Sequence, residues 1–302
     1  MTALPRAKAT PPRRSGLSPV WLVLAGIASV QVGAAFAKQL FGQIDPTAMV
    51  WLRLAASALM LGLIARPRLA GRSRSDWLHA VAFGTALAVM NWAFYESFAR
   101  IPLGLAVTIE FAGPLTLALV LSQRRSDIIW VALAASGVVL LGLEPGDLDP
   151  AGVVFALLAG AAWAAYILLA ERTGTRWPGL DGLAVASAVG ALLLTGFALP
   201  VGGAALLDPR VLAVGFAVGL LSSVVPYSLD LIALRRLPAP VFSILMSLEP
   251  AAAALVGMLL LEEFLSPLQL LAIGCVVAAS VGVTRSAARR GSRPQPDPSG
   301  GE

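Results

Sequence analysis

Ten long apolar runs, set apart by short polar connections, make up the hydropathy pattern of the chain. They lie at roughly 19–40, 46–65, 77–98, 102–121, 127–143, 150–170, 182–203, 210–233, 239–261 and 266–284. Each is about 17–25 residues long, the length that carries a helix across the hydrocarbon core of a bilayer. The pattern therefore predicts an all-α membrane protein with ten transmembrane helices. The flanks read differently. Residues 1–18 carry Arg6, Lys8, Arg13 and Arg14, and residues 285–302 are rich in Arg, Pro and Gly. Both are expected to be disordered basic tails.

The pattern also repeats. The stretch YESFARIPLGLAVTIEFAGP at 95–114 returns as PYSLDLIALRRLPAPVFSILMSLEPA at 226–251. A shift of 136 positions lays Arg100 on Arg236, Pro102 on Pro238 and Pro114 on Pro250. Each copy sets a glutamate just before the second proline, Glu110 in one and Glu249 in the other. Two repeats follow, over 19–143 and 150–284. Five spans in each is an odd number, so the second repeat is expected to be inverted, a recurrent design of secondary transporters.

The first run imitates a cleavable signal, with basic residues before it and Ala35-Phe36-Ala37 near its end. It is long for a signal core. Ala25-Gly26 also registers it on Ala159-Gly160 of the sixth run, so it is expected to stay as a span.

Charge placement orients the runs. Eighteen of the 22 Lys and Arg residues fall in the two tails and in the connections after runs two, four, six and eight. These connections hold Arg66, Arg68, Arg72, Arg74; Arg124, Arg125; Arg172, Arg176; and Arg235, Arg236. The alternate connections keep Lys38, Arg100 and Arg210 near helix ends and an acidic loop with Glu144, Asp147 and Asp149. Basic loops stay in the cytoplasm, so both termini are expected there.

Composition sharpens the class. The chain is 58% hydrophobic and 13% charged, whereas soluble domains are about 25% charged. An isoelectric point near 10.1 does not point to nucleic acid, because the basic residues are spread over short connections. Cys275 and His79 are the only residues of their kind. They exclude a disulfide framework and leave a soft-metal site or a Cys/His nucleophile pair without partners. No phosphate-cradling G-x-x-x-x-G-K-[ST] loop occurs. Neither cofactor nor metal is expected. An enzyme acting on lipid would cluster Asp and His at a membrane face, and the short loops with one unsupported His oppose that.

Candidate chemistry sits inside the runs. Ionisable groups in an apolar span are costly, which makes them functional hypotheses. Glu110 and Glu249 both count to mid-membrane. Pro114, Pro226 and Pro250 are the expected helix kinks, and a proline frees the carbonyl four residues back. That carbonyl belongs to Glu110 for Pro114 and to Met246 for Pro250. Asp230 and Tyr227 share a helix face at i, i+3, although a solvated helix end explains Asp230 as well. Asn91 and Tyr95 share a face in run three. Glu96 and Arg100, close by, are expected to pair at the interface. Trp163 and Tyr166 share a face in run six. Gln31 and Lys38 lie two turns apart in run one, and Lys38 is expected to snorkel to the surface. Arg53 either snorkels or pairs with a carboxylate inside the bundle. Runs five and ten, poor in polar residues, are the candidate faces of a homodimer.

Six blocks carry a resemblance: ASVQVGAAFAKQLF (28–41), WLRLA (51–55), MNWAFYESFARIPLGLAVTIEFAGPL (90–115), GAAWAAYIL (160–168), VPYSLDLIALRRLP (225–238) and LMSLEPAAAALVGM (245–258). Over about 19–284 the chain resembles the EamA-type, ten-helix branch of the drug/metabolite transporter superfamily. The resemblance implies a secondary exporter of the bacterial inner membrane for small neutral amino acids, threonine and homoserine first, with protons the expected coupling ion. A zwitterion needs an anion for its ammonium, from Glu110, Glu249 or Asp230. It needs a donor for its carboxylate, from Arg53, Lys38, Tyr95 or Tyr227. The alternative within the same fold is another metabolite: an aromatic amino acid, a purine or a cationic drug.

Overall fold

Helices begin where the chain supplies a cap and a proline. The computed structural model describes residues 18–121, 128–142, 148–234 and 236–291. In chain order the first helices are α1 (Pro19–Gln39), α2 (Pro46–Ala65), α3 (Arg74–Phe98), α4 (Leu103–Glu110), α5 (Ala112–Val120) and α6 (Ile128–Gly142). There follow α7 (Pro150–Gly174), α8 (Asp181–Gly202), α9 (Pro209–Gly219), α10 (Val225–Leu234), α11 (Ala239–Met246), α12 (Glu249–Leu261) and α13 (Pro267–Gly291). Asp-Pro pairs open three of them. Asp45, Asp149 and Asp208 accept from the backbone N–H of Thr47, Ala151 and Arg210 at 2.7–2.8 Å. The proline that follows each fills the first helical position, where its missing N–H has no intrahelical role. Ser73 and Asp76 form a reciprocal capping box at the start of α3.

Eight helical segments are long and apolar enough to cross a membrane, and two shorter apolar ones are Leu103–Ala118 and Ile128–Leu140. The protein is a multi-pass, all-helical membrane protein among its described residues. α3 packs along α7 and α8, α2 along α8 and α9, and α1 along α10, α11 and α12. α4 packs along α7 and α12, α5 along α7, and α6 along α13.

Three runs that read as single helices are interrupted. Run four stops at Phe111, whose N–H still reaches the Val107 carbonyl at 3.0 Å, and restarts as α5. Run nine stops after Met246, tightens through a Leu248 N–H to Leu245 carbonyl bond of 3.0 Å, and restarts at Glu249. Pro114 and Pro250 are therefore not kinks within helices but residues of the first turn of α5 and α12. The missing N–H of each falls where a helix has unsatisfied donors anyway. Run eight passes from α9 to α10 through a π turn over Leu220–Val224. Pro226 lies in the first turn of α10, directly after that π turn.

Run ten differs at its end. α13 continues to Gly291, so the first residues of the stretch expected to be a disordered tail are helical. The Ala287-Ala288-Arg289-Arg290 sequence consists of good helix formers. Residues 1–17 and 292–302 lie outside the described residues, as do Arg124, Arg125, Glu144, Asp147 and Arg235.

Candidate substrate site

A cavity of about 200 Å³ opens where the three interrupted runs face one another. α1 supplies Val30 and Gln31, α2 supplies Arg53, and α3 supplies Met90, Asn91 and Phe94. Val107 and Glu110 close α4 against it, and Trp163 and Tyr166 come from α7. Ser222 of the π turn, Pro226, Tyr227 and Asp230 of α10, Met246 of α11 and Glu249 of α12 complete the wall. Nine of the sequence candidates thus line one space: Gln31, Arg53, Asn91, Glu110, Trp163, Tyr166, Tyr227, Asp230 and Glu249.

The breaks explain why Glu110 and Glu249 meet. Each ends or begins a half-helix at the same level of the bundle, so each carboxyl stands at a helix terminus facing the other. Glu110 lies within electrostatic reach of Glu249 and Arg53, and Glu249 within reach of Asp230. The cavity therefore gathers three carboxyl groups and one guanidinium, with Glu110 and Arg53 buried and Glu249 and Asp230 half-buried. Its buried polar atoms are short of partners. Gln31 Oε1, Arg53 Nε, Ser222 Oγ and Asp230 Oδ1 make no hydrogen bond. Buried polar atoms are normally paired, so four orphans on residues of one cavity mark it out from the rest of the bundle.

Tyr95 and Lys38 do not line the cavity. Tyr95 is fully buried behind Arg53, whose guanidinium carbon lies 5.7 Å from its ring centroid. With Phe94, Phe98 and Phe41 it forms an aromatic cluster at the end where α3 finishes. Lys38 does not snorkel outward. It pairs with Glu263 in the α12–α13 turn and donates to the Ile101 carbonyl at 2.9 Å. Glu263 in turn accepts from the Leu103 N–H at 2.7 Å, capping α4. Glu96 and Arg100 pair at 2.6 Å as the spacing predicts, and Glu96 also accepts from Thr47 at 2.8 Å.

Beyond the cavity, at the end where α7 finishes and α8 begins, lies a second space of about 160 Å³. Tyr166 and Tyr227 belong to both walls, and their hydroxyls lie 3.4 Å apart. The central cavity thus meets the aromatic cluster through Phe94 at one end and the tyrosine pair at the other. Among the described residues no three His, Cys, Asp or Glu are grouped to hold a metal ion.

One expected feature is displaced. The Glu110 carbonyl does not face the cavity. It lies against Gly160 of α7, close enough that a Cβ there would sit 2.5 Å from it. Gly113 meets the Gly160 backbone at the same contact. The carbonyl that Pro114 leaves without an intrahelical donor therefore serves the α5–α7 packing. Ser222 and Glu263 were missed in the sequence. The signal for Ser222 was available, because it stands four residues before Pro226. Glu263 gave none, since its partner lies 225 positions away on α1.

A profile of the EamA-like transporter family matches residues 150–285. The chain is 42% identical to the threonine/homoserine exporter RhtA of Escherichia coli (strain K12), over 88% of this chain and 92% of that protein. It is 41% identical to RhtA of Salmonella typhimurium (strain LT2), with the same coverage. A solved crystal structure, 18% identical, superposes with a TM-score of 0.59 over 91% of this chain and 100% of the other. These relatives are named as transporters and not as enzymes.

Proposed function

The chain belongs to the EamA-like transporter family, and from that premise we propose that it is a secondary active exporter of small neutral amino acids, threonine and homoserine first. The observation that carries this reading is the central cavity, which carboxyl groups and a guanidinium line together. A zwitterion presents the complementary pair of charges. At about 200 Å³ the space is below the range of drug-sized pockets, roughly 300–1,000 Å³. That size favours a small amino acid over an aromatic one, a purine or a cationic drug. The relatives that share most of the chain are named for threonine and homoserine export.

The reading includes ten spans in two inverted five-helix repeats, the site at their midplane, both termini in the cytoplasm and the bacterial inner membrane as the location. The packing supports the repeat. Exchange of the two halves maps the contact of α3 with α7 onto that of α1 with α10, and α3 with α8 onto α2 with α9. The pairs α2–α8 and α6–α13 map onto themselves, and α5–α7 maps onto α12–α1. In this orientation the Tyr166–Tyr227 side faces the cytoplasm and the Lys38–Glu263 pair lies toward the outside. Glu110, Glu249 and Asp230 are the groups that exchange a proton or the substrate ammonium.

Efflux of labelled threonine and homoserine from preloaded cells, with and without an uncoupler, tests the proposal. Faster efflux than in cells lacking the protein, slowed by the uncoupler, is expected. Efflux equal to that of cells lacking the protein would reject these substrates.

A further inference from the structure

The notable feature of Arg53 is what it is not paired with. It is 9% exposed on α2 and lines the cavity. Among the described residues no carboxylate forms an ion pair with it. Its recorded hydrogen bond runs from Nη2 to the Ser222 carbonyl at 3.1 Å, and Nε has no partner. Glu110 lies within electrostatic reach of the guanidinium but forms no ion pair with it, so the buried charge is only partly offset within the bundle.

The Ser222 carbonyl is open to Arg53 for a reason written in the sequence. Residue 226 is proline, so no N–H from that position can reach the carbonyl four residues back. The π turn over Leu220–Val224 loosens the same stretch, and such turns gather at functional sites. The neighbouring Leu221 carbonyl is likewise taken by a side chain, the Ser29 hydroxyl of α1, at 2.6 Å. The α2 backbone is fixed at this point too. Ser57 donates to the Arg53 carbonyl at 2.7 Å and meets the Ser223 hydroxyl at 2.9 Å. A guanidinium has five donors in a rigid plane, and the Ser222 contact uses one edge of it. Tyr95 packs behind it. The part of the guanidinium that lines the cavity remains for an anion, and a carboxylate is the small planar anion that matches its fork.

We propose that Arg53 is the carboxylate anchor of the site, held in place by the Ser222 carbonyl that Pro226 leaves open, so that transported molecules must carry a carboxylate. Among the four donors that the sequence offered for this task, Lys38 is engaged by Glu263, Tyr95 is outside the cavity, and Tyr227 lies at the tyrosine pair. The ammonium of the same molecule then points across the cavity to Glu110 and Glu249. The inference rests on the proposed amino-acid transport and adds the polarity with which the substrate lies.

The test compares ligands that differ only at the carboxylate. Purified protein in detergent is titrated with L-threonine and with L-threoninol, which carries a hydroxymethyl group in place of the carboxylate, and binding is read as a thermal shift. Wild type should prefer threonine by at least about tenfold, the scale of a charge-assisted bidentate contact. Arg53→Gln should lower threonine affinity to that of threoninol and leave threoninol unchanged, while Arg53→Lys should recover part of the preference. A merely structural role would weaken both ligands alike. Equal binding of the two by wild type would overturn the inference and leave amino-acid transport standing. If neither binds, threonine transport fails, and phenylalanine against phenylalaninol becomes the deciding pair. Preference for the acid there would sustain the anchor, and parity or no binding would overturn it. The wild-type comparison decides the question even if the Arg53 variants do not fold.

Discussion

Glu110 and Glu249 each precede the second proline of a repeated stretch, by four residues in the first and one in the second, and their surroundings differ. Glu110 terminates α4 and lies near Arg53 and Glu249, whereas Glu249 begins α12 and lies nearer Asp230. Glutamine keeps the shape and hydrogen-bonding capacity of glutamate but cannot ionise. Glu110→Gln and Glu249→Gln should each lower threonine efflux by about tenfold or more while leaving membrane abundance intact. Wild-type efflux in both variants, normalised to protein in the membrane, would reduce the glutamates to structural residues. The Gly113–Gly160 contact is a different kind of residue effect. A Cβ on Gly113 would overlap the Gly160 backbone, which cannot move aside as a flexible side chain can. Gly113→Ala should destabilise the protein by about 1–3 kcal/mol, the scale of overpacking, and thermal unfolding of the purified variant checks it.

At the scale of elements, interruption places the chemistry. A continuous helix in run four would spread its side chains over an unbroken surface, and its polar backbone would be fully paired. The break at Phe111 and the restart at Glu249 bring two helix ends together at one depth. The π turn of run eight adds a third interruption and exposes carbonyls to Ser29 and Arg53. The opposite end of the bundle is fastened by a small network in which Lys38 joins α1 to the α12–α13 turn and Glu263 caps α4. Lys38→Ala leaves Glu263 partly buried without its cation. Because the pair is neither fully exposed nor fully buried, the loss expected is about 1–3 kcal/mol. The double variant with Glu263→Gln should be less destabilised than the sum of the single ones, and a thermal unfolding cycle over the four proteins measures this. Strict additivity would mean that the pair does not fasten the helices.

For the whole molecule the prediction concerns topology. Reporter fusions in residues 1–18 and 285–302 should both report the cytoplasm, and fusions in 144–149 the outside, because eighteen of the 22 basic residues fall on one side of the runs. An external C-terminus would remove the inverted repeat. The contacts between α6 and α13 bear on assembly. The helices of runs five and ten pack on each other within one chain, so a homodimer contact would have to use what remains of their surfaces.

Much of this protein was legible before any coordinates. Hydropathy marks the helical runs, because lipid-exposed backbone has no water to satisfy it and must pair internally, but it does not mark the breaks in runs four and nine. The Asp-Pro pairs mark helix starts, and the repeated glutamate and proline marks pick out the depth of the site. The resemblance of EFAGP, PYSL and MSLEP pointed to the transporter family to which the relatives belong. Tertiary structure decided what depends on neighbours far away in the chain. It turned Lys38 toward Glu263, set Tyr95 behind Arg53 and spent the Glu110 carbonyl on Gly160. It also left Arg53 with a backbone carbonyl and no carboxylate. A one-dimensional pattern fixes which residues are polar and how deep they lie. Which of two partners a buried charge meets is settled by helix rotation and packing, and those are properties of the assembled bundle.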